Sequence, residues 1–226
     1  MSGPLLDAPL SVATVQAKLR TERFGHDLRC LSVVSSTNDQ AREWALENAP
    51  EGAVVTAEEQ TQGRGREERK WYCPIGKGLL FSVVLRPSCA ARNAGQIARV
   101  IGIGAAEAIA AQTGLAVRLK PPNDLILDEK KLGGILVESQ IRGEKLAHAV
   151  AGLGINVNGS PEDYSTEVRH LLITIESAVG AAWPRAPLLG RLLEYLESAW
   201  DSFTFYGWKS LSSRWDELAK NPRTDG

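Results

Sequence analysis

KLGGILVESQI (131–141) and KLAHAVAGLGI (145–155) are two long strand-like stretches, and the residues between them, Arg142-Gly143-Glu144, have the composition of a hairpin turn. An antiparallel pair of this length forms the centre of a sheet. Shorter strand-like runs precede it at 28–34, 53–58, 78–86, 115–119 and 124–128. Helical spacing occurs at 11–24, at 39–48 behind Ser36-Thr37-Asn38 as an N-capping segment, and at 92–113, an Ala- and Ile-rich stretch. Gly102 and Gly104 lie inside that last helix and do not follow a strand, so they read as a close helix contact rather than as a dinucleotide fingerprint. After residue 160 the pattern turns helical, at 165–179, 187–206 and 208–220, where Arg191, Leu192, Tyr195, Leu196, Ala199, Trp200 and Phe203 include an apolar stripe expected to pack in the core. Strands joined mostly by tight turns, followed by helices, predict an α+β domain: a mixed β-sheet with helices packed mainly on one face.

Composition narrows the function. A chain of 226 residues with 43% hydrophobic composition can bury a substantial core. A formal net charge of -1 argues against general nucleic-acid binding. Cys30, Cys73 and Cys89 are odd in number and lack C-x-x-C spacing, which points to reduced thiols in a cytoplasmic protein. His26, His148 and His170 are scattered and give no transition-metal pattern. No apolar run is expected to approach the roughly 18–20 residues that span a bilayer, and MSGPLLDAPLSV lacks the order of a secretory signal. Asn158-Gly159-Ser160 matches a glycosylation sequon but reads as a turn.

Three segments carry chemistry. Gly63-Arg64-Gly65-Arg66 alternates flexible backbone with guanidinium forks, inside a stretch (61–77) with five basic and two acidic residues. Arginine grips carboxylate and phosphate with two N–H groups, and glycine lets backbone N–H groups approach an anion. RLKPPNDLILDEKKLGGILVES (118–139) sets Lys120, two prolines that hold the chain extended, Asn123-Asp124, a turn at Asp128-Glu129, Lys130-Lys131 and the bare backbone of Gly133-Gly134 within one short span. GLGINVN (152–158) alternates glycine with apolar residues at a strand end and presents Asn156.

Together these segments resemble the biotin protein ligases. The resemblance runs from about Leu31 to Asn158 and rests on SSTN (35–38), EEQTQGRGR (58–66), the Lys-x-Pro-Asn-Asp element (120–124), KKLGGILVE (130–138) and GLGIN (152–156). It implies a biotin/lipoate ligase-like catalytic domain that joins biotin to ATP, releases pyrophosphate, and passes biotin from biotinyl-5′-AMP to a lysine of a biotin carboxyl carrier protein. By matching position it implies Ser36, Thr37, Asn38, Gln60, Arg64, Arg66, Lys131, Gly134 and Gly152 around biotin. Arg66, Arg69, Trp71, Lys120, Asn123 and Asn156 would face ATP, Asp124 would hold Mg²⁺, and Lys131, Arg66 and Lys120 would act in catalysis. The Gly/Arg loop is expected to be mobile when empty and ordered over the intermediate.

The domain reading is a lead-in and helix over 1–25, a catalytic domain over 26–220 and a tail over 221–226. Pro121 stands where the family generally has Trp. Too few residues precede the catalytic region for a helix-turn-helix, so no DNA partner is expected, and the small C-terminal β-barrel domain of many members is not expected either. A homodimer is compatible with the sequence. Two other readings compete: a lipoate or octanoate ligase or transferase, which shares the fold, and a non-catalytic biotin sensor, which has no use for Lys131 and Asp124.

Overall fold

The computed structural model describes residues 8–87 and 93–220. Cys89 and the 221–226 tail lie outside them. The elements are α1 (Val12–Gln16), β1 (Leu28–Val34), α2 (Thr37–Leu46), β2 (Val54–Gln60), β3 (Gly78–Leu85), α3 (Ala94–Thr113), β4 (Arg118–Lys120), β5 (Asp124–Leu127), β6 (Lys130–Arg142), β7 (Lys145–Asn156), α4 (Ile175–Val179), α5 (Arg185–Tyr206) and α6 (Ser212–Ala219).

One seven-stranded sheet runs in the order β1-β2-β3-β7-β6-β5-β4. β1 and β2 are parallel, linked by the α2 crossover, and every other neighbour is antiparallel. The β6–β7 hairpin predicted from 131–155 is the central pair, closed by Gly143 at φ 60°. The mixed sheet with helices mainly on one face is therefore the observed architecture.

Period-two alternation divides the sheet into two faces. Leu79, Phe81, Val83, Ile135, Ala151, Leu153 and Ile155 enter the main core beneath α3 and α5. The opposite face carries a smaller cluster in which Ala41, Ala45 and Ala49, from α2 and its end, pack on Val55, Val84 and Val150. Gly104 performs the close helix contact expected of it: a Cβ there would lie 2.8 Å from the Tyr195 carbonyl oxygen and 3.0 Å from Leu196 Cα. On α5, Leu192, Leu196, Ala199 and Trp200 are fully buried, as the stripe predicts.

Several elements differ from the sequence reading. The opening helix ends at Gln16 instead of continuing to 24. The buried Glu197 carboxylate on α5 accepts the backbone N–H groups of Glu22, Arg23 and Phe24, so those donors serve a tertiary contact. Residues 165–174 are also irregular, and only Ile175–Val179 is helical there. Lys131 binds that segment by its backbone, donating to the Leu171 carbonyl and accepting from Ile173 N–H. Pro121-Pro122 do not hold the chain extended; they form the turn of the β4–β5 hairpin. α3 is long and apolar enough to cross a membrane by length and composition, contrary to the expectation for the chain, yet it is a largely buried core helix. The sequon asparagine reads correctly as part of a turn: Asn158 is buried, its amide donating to and accepting from the Trp183 backbone, and Gly159 follows at φ 83°.

Replacing Gly104 with valine should push α3 off α5. The expected loss is about 1–3 kcal/mol of unfolding free energy, the usual range for an overpacked core, read by denaturant titration.

Candidate active site

The smaller face of the sheet is covered by α2 over only part of its length. Past the N-terminus of α2 lies a cavity of about 960 Å³. Its floor is the glycine-rich end of β6 and β7, where Gly134 is paired with Gly154 and Leu136 with Gly152. The missing side chains make room for others. A Cβ on Gly152 would fall 2.1 Å from Asn38 Oδ1, and one on Gly154 would fall 2.4 Å from the Trp71 indole, whose Nε1 is buried without a partner among the described residues.

The first turn of α2 forms one wall. Ser36 is at the N-cap position but makes no side-chain capping bond, so the expected hydroxyl cap is not formed. Thr37 instead donates through both N–H (2.8 Å) and Oγ1 (3.0 Å) to Gln60 Oε1, at the end of β2. The Ser82 hydroxyl lies 2.8 Å from Thr37 Oγ1 and 2.7 Å from Asn38 Oδ1, and Asn38 Nδ2 donates to Glu138 at 2.7 Å. This network links α2, β2, β3 and β6 and leaves Gln60 Nε2 without a hydrogen bond among the described residues.

The Gly/Arg loop is folded back on itself. Arg64 bridges Lys70, Gly65 N–H donates to the Arg69 carbonyl (2.6 Å), and Trp71 N–H donates to the Gly63 carbonyl (2.9 Å). Glu67 turns the chain with φ 56°. Arg66 and Arg69 are exposed on this hairpin, and Arg69 pairs with Glu67. Arg64 points inward, its two terminal nitrogens 2.8 and 2.7 Å from the Asp39 carboxylate oxygens. That guanidinium, aided by Arg42 against the opposing effect of burial, holds the Asp39 carboxyl below the usual carboxylate range.

At the other end stand Lys120, Asn123, Asp124 and Lys131. Lys131 Nζ lies 2.7 Å from Asp124 Oδ1 and 5.5 Å from the Trp71 ring centroid. Asn123 Nδ2 donates to the Ile135 carbonyl. Asn156 is buried, its amide donating to the Lys131 and Ile173 carbonyls and accepting from Tyr164. Among the described residues no group of three or more His, Cys, Asp or Glu side chains is placed to cage a metal. A divalent ion carried in by phosphates needs only one or two protein carboxylates, and Asp124 fits that lesser demand.

Every site residue chosen from the sequence lines this one cavity. It is thus a site that gathers amides and hydroxyls at one end and cations at the other, over bare backbone. The sequence profile of the Biotin/lipoate A/B protein ligase family matches residues 30–156, the same span that builds the cavity floor, the α2 wall and the loop.

The chain belongs to the biotin/lipoate A/B protein ligase family.

Among its relatives is the bifunctional ligase/repressor BirA of Bacillus subtilis, 32% identical over 93% of this chain and 65% of that protein. A biotin--[acetyl-CoA-carboxylase] ligase of Paracoccus denitrificans is 37% identical over 61% of this chain and 57% of its own length. The chain therefore spans less than two thirds of these relatives. The biotin protein ligase of Aquifex aeolicus, solved with biotin and ATP, superposes with a TM-score of 0.75 at 30% identity, covering 86% of this chain and 78% of that one.

Several parts of this cavity carry no assignment from the sequence. Ser82 is a lone hydroxyl in the apolar run GLLFSVVL, and that isolation was its signal. Asp39 and Glu138 were read as helix and strand residues. The wall from Asp163 to Leu172 was hidden by the helix expected there. Within it, Tyr164 places its hydroxyl 3.6 Å from Cys73 Sγ and 3.3 Å from Asn156 Oδ1.

Cys73 is buried, and burial pushes its thiol up to about 11. At pH 8 the folded protein should therefore hold Cys73 as an inert thiol. A disulfide reagent should label it at least about tenfold more slowly in the native than in the denatured protein, since the thiolate is the reactive form. Equal rates would remove Cys73 from the packed site.

Proposed function

We propose that this chain is an ATP-dependent biotin protein ligase: it forms biotinyl-5′-AMP and then transfers biotin to a lysine of a carboxyl carrier protein. The observation that carries this reading is the single cavity in which Gln60, the α2 terminus, the Gly/Arg loop and Lys131 converge. The family match and the likeness to a ligase solved with biotin and ATP support it.

The chemical difficulty is electrostatic. A carboxylate oxygen must attack the α-phosphorus of a polyanion while pyrophosphate leaves. Fixed positive charge and alignment lower that barrier, and no enzyme nucleophile is required. The ureido group offers two N–H donors and a carbonyl. Ser36, Thr37, Asn38 and Gln60 supply matching acceptors and donors, and Gly134 and Gly152 let backbone approach the bicycle and its tail. Arg64 and Arg66 face the biotin carboxylate. Arg66, Arg69 and Lys120 face the phosphates, and Trp71, Asn123 and Asn156 the nucleoside. Lys131 stands between carboxylate and α-phosphate as a compact charge, released from Asp124 as the anions enter. Mg²⁺ bound with ATP would rest on Asp124 and neutralise phosphate charge. In the second half-reaction the carrier lysine amine attacks the acyl carbon and AMP leaves. An acyl phosphate exposed to water would hydrolyse, so closure of the Gly/Arg loop keeps the intermediate for the carrier. A cytoplasmic location suits a reaction that consumes ATP.

The test is ATP-dependent biotin transfer to a carboxyl-carrier domain, with lipoate as the competing acid. Biotin should be transferred and lipoate not. Lys131→Ala should lower adenylate formation by about 10²-fold or more, the scale for losing a preorganised charge at a developing anion. Transfer of lipoate in preference to biotin, or full activity of the lysine variant, would overturn the reading. Arg66→Ala should still form the intermediate but leak it, detected as labelling of lysines on a bystander protein.

A further inference from the structure

Arg64 is the most firmly held arginine of the Gly/Arg loop, and its holder lies outside the loop. Asp39 sits in the first turn of α2, with its side chain only 17% exposed, and takes both terminal nitrogens of Arg64. Arg42 donates to the same carboxylate from below, at 2.7 Å, and Glu138 lies 3.8 Å from Arg64 on the far side. A guanidinium carries five N–H donors, so a carboxylate gripping its two terminal nitrogens leaves the remaining donors free for a second anion. Arg66 and Arg69, two residues and five residues further along, have no such anchor: among the described residues the Arg69 side chain pairs only with the exposed Glu67, and Arg66 forms no ion pair.

We propose that Asp39 is a positioning residue for the ligase reaction: its carboxylate fixes the Arg64 fork against α2, pre-aims the fork's remaining donors at the incoming substrate carboxylate, and serves as the fixed hinge about which residues 65–70 open and close. This rests on the proposed function for its substrate but not for its anchoring role. Other features fit the same arrangement. Arg64 is the last residue before the fold-back, where it bridges Lys70, so holding its side chain holds both arms of the hairpin at their base. Asn38, next to Asp39, donates to the Glu138 carboxylate that backs Arg64, so the anchor shares its frame with the amide wall of the pocket. The depressed carboxyl of Asp39 is consistent with a pair that stays ionised. The ordering is achieved before substrate arrives, and an arginine already immobilised loses less freedom on binding.

The experiment compares wild type with Asp39→Asn, Arg64→Gln, the double variant and Arg42→Gln. All are checked first by thermal melting, so that a misfolded protein is not scored. Asp39→Asn keeps the shape and removes the charge. It should raise the biotin KM about tenfold, equivalent to about 1.4 kcal/mol, while kcat at saturating biotin stays within about twofold. Arg64→Gln should do at least as much, and the double variant should be no worse than Arg64→Gln alone, because the two residues act through one contact. Arg42→Gln leaves the Asp39–Arg64 pair intact and should change KM less than about twofold. Limited trypsin digestion provides a readout independent of catalysis: cleavage after the exposed Arg66 and Arg69 should be several-fold faster in Asp39→Asn than in wild type. A wild-type KM and wild-type trypsin rate in Asp39→Asn would overturn the proposal, as would additive effects in the double variant. If wild type makes no biotinyl adenylate, the proposed function fails, and the trypsin rates still decide whether Asp39 anchors the loop.

Discussion

The antiparallel register of β6 and β7 is the constraint on which the site depends. It sets Gly134 against Gly154 and Leu136 against Gly152, so one face of the central pair carries glycine at three of these four positions where α2 no longer covers it. The other face of the same residues cannot vary in the same way, because Ile135, Leu153 and Ile155 are locked in the main core. A slip by one residue would send these apolar groups into the cavity and the glycines into the core. Burial on one face thus fixes the bare floor on the other. Asn38 and Trp71 then lean over that floor into space that any Cβ would fill.

Part of the charge in the site is held in pairs, Arg64 with Asp39 and Lys131 with Asp124, while Glu138 accepts from the Asn38 amide. A cluster of unneutralised cations would repel itself and strain the fold, so pairing lets the protein store positive charge near a pocket floor. The pairs are partly solvated, which keeps their exchange cheap. Lys131 Nζ can trade one carboxylate oxygen for the oxygen of another anion without crossing a deeply buried state. The bidentate Arg64 contact is the harder one to exchange, because both ends of the fork must let go together. The site therefore combines one movable charge with one fixed charge.

Much of the central sheet was legible because its signals are local. Alternation over 131–155 and the turn at Gly143 define the central pair, and β1 follows its sequence bounds. The site residues were legible as types and spacings, and folding gathers them into one cavity. What was not legible depends on tertiary hydrogen bonds that no periodicity encodes. Residues 22–24 leave the helical pattern because one buried carboxylate, Glu197, collects three of their backbone donors. Residues 165–174 abandon theirs because Lys131 and Asn156 take up backbone groups at Leu171 and Ile173. Asp39 was invisible for another reason. An acid in a helix's first turn is ordinary, and only the fold brings Arg64 to it.

Asn156 shows how closely scaffold and site are joined. Its amide spans the carbonyl of Lys131, at the start of β6, and that of Ile173, in the irregular wall, and its own oxygen accepts from Tyr164. Tyr164 in turn touches Cys73, at the end of the segment that carries the Gly/Arg loop. One buried side chain on β7 therefore ties the backbone of Lys131, the 163–172 wall and the root of the loop. A bare surface loop across the pocket would be free to drift. This one is fixed at its root by Asn156 and Tyr164 and at its mouth by Asp39 and Arg64, which leaves the exposed Arg66–Arg69 turn as the part best able to move.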